Sequence, residues 1–319
     1  MVWFTILPKK GQRRFKLRLA MDIGGTNLKL GLINDQGKVV KHEIHSIEDL
    51  LSHSNFIEAL ILYLNKFVGQ NKINCGGVSS KGFIDSANGE VIDDVSLGKE
   101  LRGFSICQIL SDKYNAPFSI ENDAKCYAWG EYKFGIGKKY RTFCCITLGT
   151  GIGCAYVDSG NLFSGGYPWG GVLGGHISID KNGPKCDCGN IGCFEMYCSK
   201  NGILRILGES MPSMLVSPDP IISFFNSVRD GNINSKEVFN DFLCNLATGL
   251  LTIINLYSPN AIILGGGIMN SSDIFLNELK EIVSERAFIV SGIECSIEKA
   301  TLGNYAPLLG AAFLPKMEN

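Results

Sequence analysis

Leu17-Arg-Leu-Ala-Met-Asp22-Ile-Gly24-Gly25-Thr26-Asn27-Leu28-Lys29-Leu-Gly-Leu-Ile33 is the stretch on which the fold turns. An apolar strand delivers an aspartate, a glycine pair forces a tight turn, and a second strand leaves. Backbone N–H groups bared by such glycines cradle phosphate oxygens, with the Thr26 hydroxyl and Lys29 close by. Asp22 stands where a magnesium ion, or a water on it, needs a carboxylate. A plain β-hairpin with a Gly-Gly turn is the competing reading of this piece alone. The device recurs in Phe143-Cys-Cys-Ile-Thr147-Leu-Gly149-Thr150-Gly151-Ile-Gly153, where a strand, a glycine-rich turn and a returning strand over 154–157 follow one another. Two copies predict a duplicated fold that clasps one phosphate chain from both sides.

Between the copies, Asp35-Gln-Gly37 closes a hairpin into a strand over 38–45. Residues 55–68 carry Ile57, Leu60, Ile61, Leu64 and Phe67 at helical spacing, ended by Gly69. A strand over 73–79 runs into Ser80-Lys81-Gly82-Phe83, a second hairpin turns at Asn88-Gly89, and Ser105 begins a short helix. Ala116-Pro-Phe-Ser-Ile120-Glu121-Asn122-Asp123-Ala124 reads as an apolar strand that becomes a helix at Asp123. Asp123 is either the helix cap or a carboxylate held at the carboxyl end of a strand, where α/β proteins place their chemistry. Asn122 beside it suits a hydroxyl-rich ligand. Residues 200–238 predict short helices, 239–256 a strongly apolar one, and 259–268 a buried strand ending in Gly265-Gly266-Gly267, a flat floor for a planar ring such as adenine. Residues 304–314 close the chain as a helix.

One more cluster carries chemistry. Cys186-Asp-Cys188 and Cys193 follow a lone His176, and Cys₃His is a set that fills a zinc tetrahedron with no open position. Such a closed site is structural, and it would fix Glu195 and the free face of His176.

The bulk numbers set bounds. With 319 residues the chain has room for two cores. Hydrophobic content of 45% and charged content of 19% are those of a soluble globular protein. Thirty basic against thirty-one acidic residues leave no field for nucleic acid or a membrane surface, and no run reads as membrane-spanning. The N-terminal apolar piece precedes its basic cluster, the wrong order for a secretory signal. Of the twelve cysteines, those scattered outside the Cys₃His set read as reduced thiols, which predicts a cytoplasmic protein.

With these pieces in order, residues 17–314 resemble the ROK family of sugar kinases and related repressors, within the actin-like, ribonuclease H-like ATPase fold: α/β, two-lobed, with mixed sheets and flanking helices. Asp22-Ile-Gly-Gly-Thr26 resembles the family's first phosphate motif, Leu148–Gly153 its second, Leu264–Gly267 its adenosine motif, and Glu121–Ala124 the segment with the sugar-binding asparagine and catalytic aspartate. Gly175-His176 with the three cysteines and Glu195 resembles its zinc signature. The resemblance implies an N-terminal lobe over 1–121, completed by a helix at 305–319, and a C-terminal lobe over 122–304. It implies transfer of the γ-phosphoryl of ATP, with Mg2+, to a sugar hydroxyl. Asp123 would be the base, kept ionised by its helix-start position, and Asn122, Gly82, His176 and Glu195 would hold the sugar. Asp22, Gly24, Gly25, Thr26, Lys29, Thr150, Gly151 and Gly265 to Gly267 would hold ATP and Mg2+. It further implies a homodimer or higher homo-oligomer.

Two positions depart from the family pattern. Leu173 stands where a sugar-binding glutamate is usual, three residues before the histidine, and Lys81 precedes Gly82 where proline is usual. A buried Leu173 predicts a preference for a modified hexose, because a hydroxyl facing it would lose its water for nothing. A sugar-sensing regulator, or a sugar- and ATP-binding protein with little kinase activity, is the rival reading. Only 21 residues precede Asp22, fewer than a DNA-binding helix-turn-helix domain needs.

Overall fold

The structure, a computed structural model, describes residues 16–93, 100–287 and 294–315. Its first sheet is built from β1 (Leu17–Ile23), β2 (Asn27–Asn34), β3 (Val39–Ser46), β4 (Ile73–Ser80) and β7 (Phe118–Asn122). A short hairpin, β5 (Phe83–Asp85) with β6 (Glu90–Asp93), forms a sheet of its own. The first sheet has the order β3-β2-β1-β4-β7; β1–β2 and β2–β3 are antiparallel, β1–β4 and β4–β7 parallel. β1 is buried through its last five residues, as a central strand covered on both faces must be. β3, at the edge, alternates half-buried and exposed positions.

α1 (Ile47–Leu51), α2 (Phe56–Val68) and α3 (Ile106–Tyr114) cover this sheet. α2 forms where its apolar periodicity predicts. The Asn55 side chain accepts from Ile57 N and Glu58 N at 2.9 and 3.2 Å, and Gly69 ends the helix at φ 56°.

The second sheet repeats the first. It comprises β8 (Thr142–Leu148), β9 (Ile152–Asp158), β10 (Asn161–Leu162), β11 (Ala261–Gly265) and β12 (Ser296–Lys299), in the order β10-β9-β8-β11-β12 with the same sequence of antiparallel and parallel pairings. Its outer layer holds α5 (Glu195–Cys198), α6 (Lys200–Ser210), α7 (Pro220–Arg229), α8 (Ile233–Tyr257) and α9 (Leu276–Arg286), around an aromatic core of Phe194, Phe224, Phe225, Phe242 and Phe275. α8 begins six residues before the expected 239, capped by Asn232 onto Ser235 N at 3.0 Å. Contrary to the expectation that no run is membrane-spanning, it is long and apolar enough to cross a membrane by length and composition, yet 56% of its most apolar 18-residue window is buried inside the protein. α9 and β12 were not anticipated.

Two helices lie between the sheets. α4 (Asp123–Phe134) packs against β8, β9 and α10 (Ala306–Ala312), and α10 against β1, β2 and β4. Their approach is close enough to need glycine: a Cβ on Gly130 would overlap the Ala306 carbonyl, and one on Gly310 the Cys126 carbonyl. The layering is thus helices, sheet, two helices, sheet, helices. It sets the carboxyl ends of β1, β4 and β7 on the side where α4 begins.

Candidate active site

The β1–β2 turn is tied by Gly24 N donating to Asn27 O at 3.0 Å, with Gly25 and Thr26 exposed. Asp22, 5% exposed, engages both its oxygens. Oδ1 accepts from Ser79 Oγ on β4 at 2.7 Å, and Oδ2 takes Lys29 Nζ from β2 at 2.8 Å. The aspartate and lysine picked out in the sequence are therefore an ion pair beneath the turn.

The β8–β9 turn is held from below. Gly149 N donates to Gly151 O at 3.0 Å, Lys200 N at the start of α6 donates to Gly149 O at 2.8 Å, and Ile152 N donates to Glu195 Oε2 at 2.6 Å. A Cβ on Gly151 would strike that same Glu195 oxygen. Glu195 thus spends one carboxylate oxygen on the turn, and among the described residues the other accepts no hydrogen bond.

At the β7–α4 junction the cap is Asn122, not Asp123. Asn122 Oδ1 accepts from Ala124 N at 2.9 Å and Lys125 N at 3.4 Å, while its Nδ2 donates to Gly82 O at 2.9 Å. Asp123 is the first helical residue and is half-buried. Burial first, and the Asp22 charge second, lift its carboxyl to about 6, against the pull of Ala124 N–H and Lys81. The helix start does favour the carboxylate, but desolvation and a like charge outweigh it. Ala124 also lies where a Cβ on Gly153 would fall, so the second turn's strand reaches the base of Asp123. Asp22 of the first sheet and Gly153 of the second thus approach this junction from opposite sides.

Beside the second turn lies a cavity of about 370 Å³ walled by Gly149, Thr150, Lys200, Asp219, Ile222, Phe225, Gly267 and Asn270, among others. Of the three glycines after β11, Gly267 alone lines it. Gly266, at φ 89°, packs on the Leu148 carbonyl, and Gly265 abuts the Tyr127 hydroxyl. Sequence reasoning missed the α6–α7 wall. Asp219-Pro220 does signal a helix start, and Asp219 Oδ1 caps Ile222 N at 3.1 Å. Nothing local says that this start faces a cavity.

His176, Cys186, Cys188 and Cys193 converge, with their ligand atoms all within 4.8 Å of one another. Cys186 Sγ lies 3.5 Å from His176 Nδ1, and Cys188 Sγ 3.6 Å from Cys193 Sγ. Metal–sulfur bonds of about 2.3 Å in a tetrahedron put its edges at roughly 3.7 Å, so the set fits a four-coordinate metal. His176 offers Nδ1 to the cluster and leaves Nε2. The 3₁₀ turn that carries His176 starts at Leu173, which is 52% exposed. The expectation of a buried Leu173 therefore fails, and with it the desolvation argument for a modified hexose.

A buried lysine that the sequence did not flag completes the site. Lys125 Nζ reaches Ser164 Oγ at 2.9 Å, Pro168 O at 3.0 Å and Glu121 Oε1 at 3.5 Å. It ties the glycine-rich loop before Leu173 to the first turn of α4. Burial raises the Glu121 carboxyl, with Lys125 pulling it down.

Two mirrored mixed sheets, each with a glycine-rich strand–turn–strand unit, give the chain the actin-like fold. The ROK family profile matches residues 18–318, and the chain belongs to that family. It is 34% identical over 209 residues to a xylose repressor from Bacillus subtilis (strain 168), covering 66% of this chain and 53% of that protein. The chain thus spans about half the length of the first curated relatives it matches. A glucokinase from Streptomyces coelicolor is 26% identical, covering 94% of this chain and 98% of its own. Among solved structures, a ROK family glucokinase from Streptomyces griseus in complex with glucose and AMPPNP superposes with a TM-score of 0.75 at 25% identity, over 93% of this chain and 98% of that one.

Proposed function

We propose that the protein is an ATP-dependent sugar kinase that transfers the γ-phosphoryl of ATP to a hydroxyl of a hexose or modified hexose. The observation that carries this reading is Asp123. It is half-buried between two phosphate-type turns, linked electrostatically to Asp22 of the first and through Ala124 to the strand of the second.

Asp123 takes the hydroxyl proton, and the freed oxygen attacks the γ-phosphorus. Such a transfer needs positioning and charge neutralisation more than covalent help. Gly24, Gly25 and Thr26 with Lys29 face the phosphates from one sheet, and Thr150 and Gly151 from the other. Gly265, Gly266 and Gly267 shape the nucleoside end, where Gly267 lines the cavity. Asp22, whose oxygens are engaged by Ser79 and Lys29, would meet a magnesium ion through one of its waters, and the ion when bound would neutralise phosphate charge. The remaining N–H of Asn122, the free oxygen of Glu195, His176 Nε2 and the Gly82 turn hold the sugar. The four-ligand cluster takes a structural zinc, which supplies rigidity rather than chemistry. Residues 1–121 with 305–319 form one lobe on this reading and 122–304 the other, working as a homodimer or higher homo-oligomer in the cytoplasm.

The xylose repressor likeness favours a second reading, a sugar-responsive regulator with little turnover. An ATP-coupled assay over glucose, N-acetylated hexosamines and alkyl glucosides separates the two. The kinase reading expects turnover with at least one sugar. Asp123→Asn should then bind ATP normally and lose about 10²–10⁴-fold in kcat. Sugar and nucleotide binding without turnover would establish the regulator instead.

A further inference from the structure

The turn from β4 to β5 is pinned at both ends. Lys81 N donates to Ile23 O at 3.4 Å, at the lip of the first phosphate-type turn. The next carbonyl, Gly82 O, accepts from Asn122 Nδ2 at 2.9 Å, at the foot of Asp123. Gly82 sits at φ 98°, a left-handed conformation that glycine adopts freely. The Lys81 side chain is thus presented on a short, fixed turn between one turn and the carboxylate.

The charges around it single Lys81 out. Lys29 is paired with Asp22, and Lys125 is buried on Glu121, Ser164 and Pro168. Lys200 lines the nucleoside cavity, on the other sheet. Lys81 is exposed and, among the described residues, has no ion-pair partner. Its turn lies between Ile23 and Asn122, and its charge helps to hold the Asp123 carboxyl down while Asp22 on β1 pushes it up. Two carboxylates and an incoming triphosphate would meet here, with one uncommitted cation carried on the turn beside them.

Resting on the kinase reading above, we propose that Lys81 is a catalytic residue whose ammonium binds the phosphoryl group in flight. The acceptor O–H gives its proton to Asp123. The oxygen forms a bond to the γ-phosphorus of a nucleoside triphosphate, and the bond from that phosphorus to the β–γ bridging oxygen breaks. The electron pair leaves with the nucleoside diphosphate. Charge spreads over the three equatorial phosphoryl oxygens during the transfer, and Lys81 donates to them.

The test begins with binding rather than turnover. Calorimetry on the full chain compares ADP with the non-hydrolysable AMPPNP, for wild type and Lys81→Met. Loss of a charged hydrogen bond to the terminal phosphate should weaken AMPPNP by roughly tenfold or more and leave ADP unchanged. In turnover, Lys81→Met should lose kcat by on the order of 10²-fold with an unaltered KM for the sugar. The acidic limb of its pH profile should move to higher pH, because the cation opposing Asp22 at Asp123 is gone. Wild-type affinity for AMPPNP and wild-type kcat in Lys81→Met would overturn the assignment. So would a loss confined to a carboxylate-bearing sugar such as glucuronate, which would make Lys81 a contact to an anionic acceptor. If the wild-type protein binds neither nucleotide, the kinase reading itself falls and takes this role with it.

Discussion

The amide of Asn122 is divided between two jobs, capping α4 with its oxygen and holding the Gly82 carbonyl with its nitrogen. Asn122→Asp keeps the first and loses the second, and Asn122→Ala loses both. Denaturant titration should show a cost of about 0.5–2 kcal/mol for the alanine variant from the cap alone, and less for the aspartate. Asp123 has a pH consequence. Its raised value means that it holds a proton to higher pH than a free carboxyl, and a protonated carboxyl accepts nothing. Turnover by the wild-type protein should therefore fall as pH drops through about 6. A rate flat from pH 7 to 5 would exclude Asp123 as the base. The local sequence left cap and base open because Asn and Asp cap equally well. What distinguishes them, Asp22 and Lys81, arrives from other strands.

Among the elements, those with local signals were legible. α2 has its periodicity, its Asn55 cap and its Gly69 stop, and the two turns declare themselves by glycine. β12 has four residues, and α9 buries only Leu279 and Val283, so neither leaves a pattern to read. The Lys125 tether was invisible because its partners lie in a loop with no helical or strand period. Lys125→Met should be costly, about 3–5 kcal/mol, since it strands Glu121 as a buried, unpaired charge; adding Glu121→Gln should recover part of that loss. The metal loop makes a longer-range prediction. Cys193 is followed by Phe194, fully buried in the core, and then by Glu195, whose carboxylate holds Ile152 N. Chelation should thus loosen the second turn as well as the cysteine loop. Hydrogen exchange at the Ile152 amide should speed up on chelator treatment and recover with zinc. Unchanged protection would mean that Phe194 alone fixes Glu195.

On the scale of the molecule, the duplication was readable as two strand–turn–strand units, and the family resemblance implied a C-terminal helix completing the first lobe, but the close contacts that seat that helix were not legible. α10 comes from the end of the chain, yet it lies on β1, β2 and β4 and against α4. The contacts pair Gly310 with Cys126, Gly130 with Ala306, and Gly77 with Ala311, each too close for a Cβ. Only the three-dimensional partner explains why glycine is needed at these positions. Three further bonds bind the same region: Arg18 to Ala312 O at 3.1 Å, Ser119 to Pro315 O at 3.0 Å, and Trp129 Nε1 to Phe313 O at 2.7 Å. Because α10 touches the first sheet on one side and α4 on the other, displacing it should weaken both halves at once. Gly310→Ala adds a methyl that must push α10 away from the Cys126 carbonyl, an overpacking cost of typically 1–3 kcal/mol. Backbone cannot swing aside as a side chain can, so the upper part of that range is expected. Gly166→Ala is the control, because a Cβ there meets nothing and its φ is not left-handed. Urea unfolding followed by tryptophan fluorescence and far-UV circular dichroism should show one coincident transition, shifted down in Gly310→Ala and unmoved in Gly166→Ala. Two separated transitions in Gly310→Ala, with only one of them shifted, would show instead that the halves unfold independently and that α10 serves one of them alone.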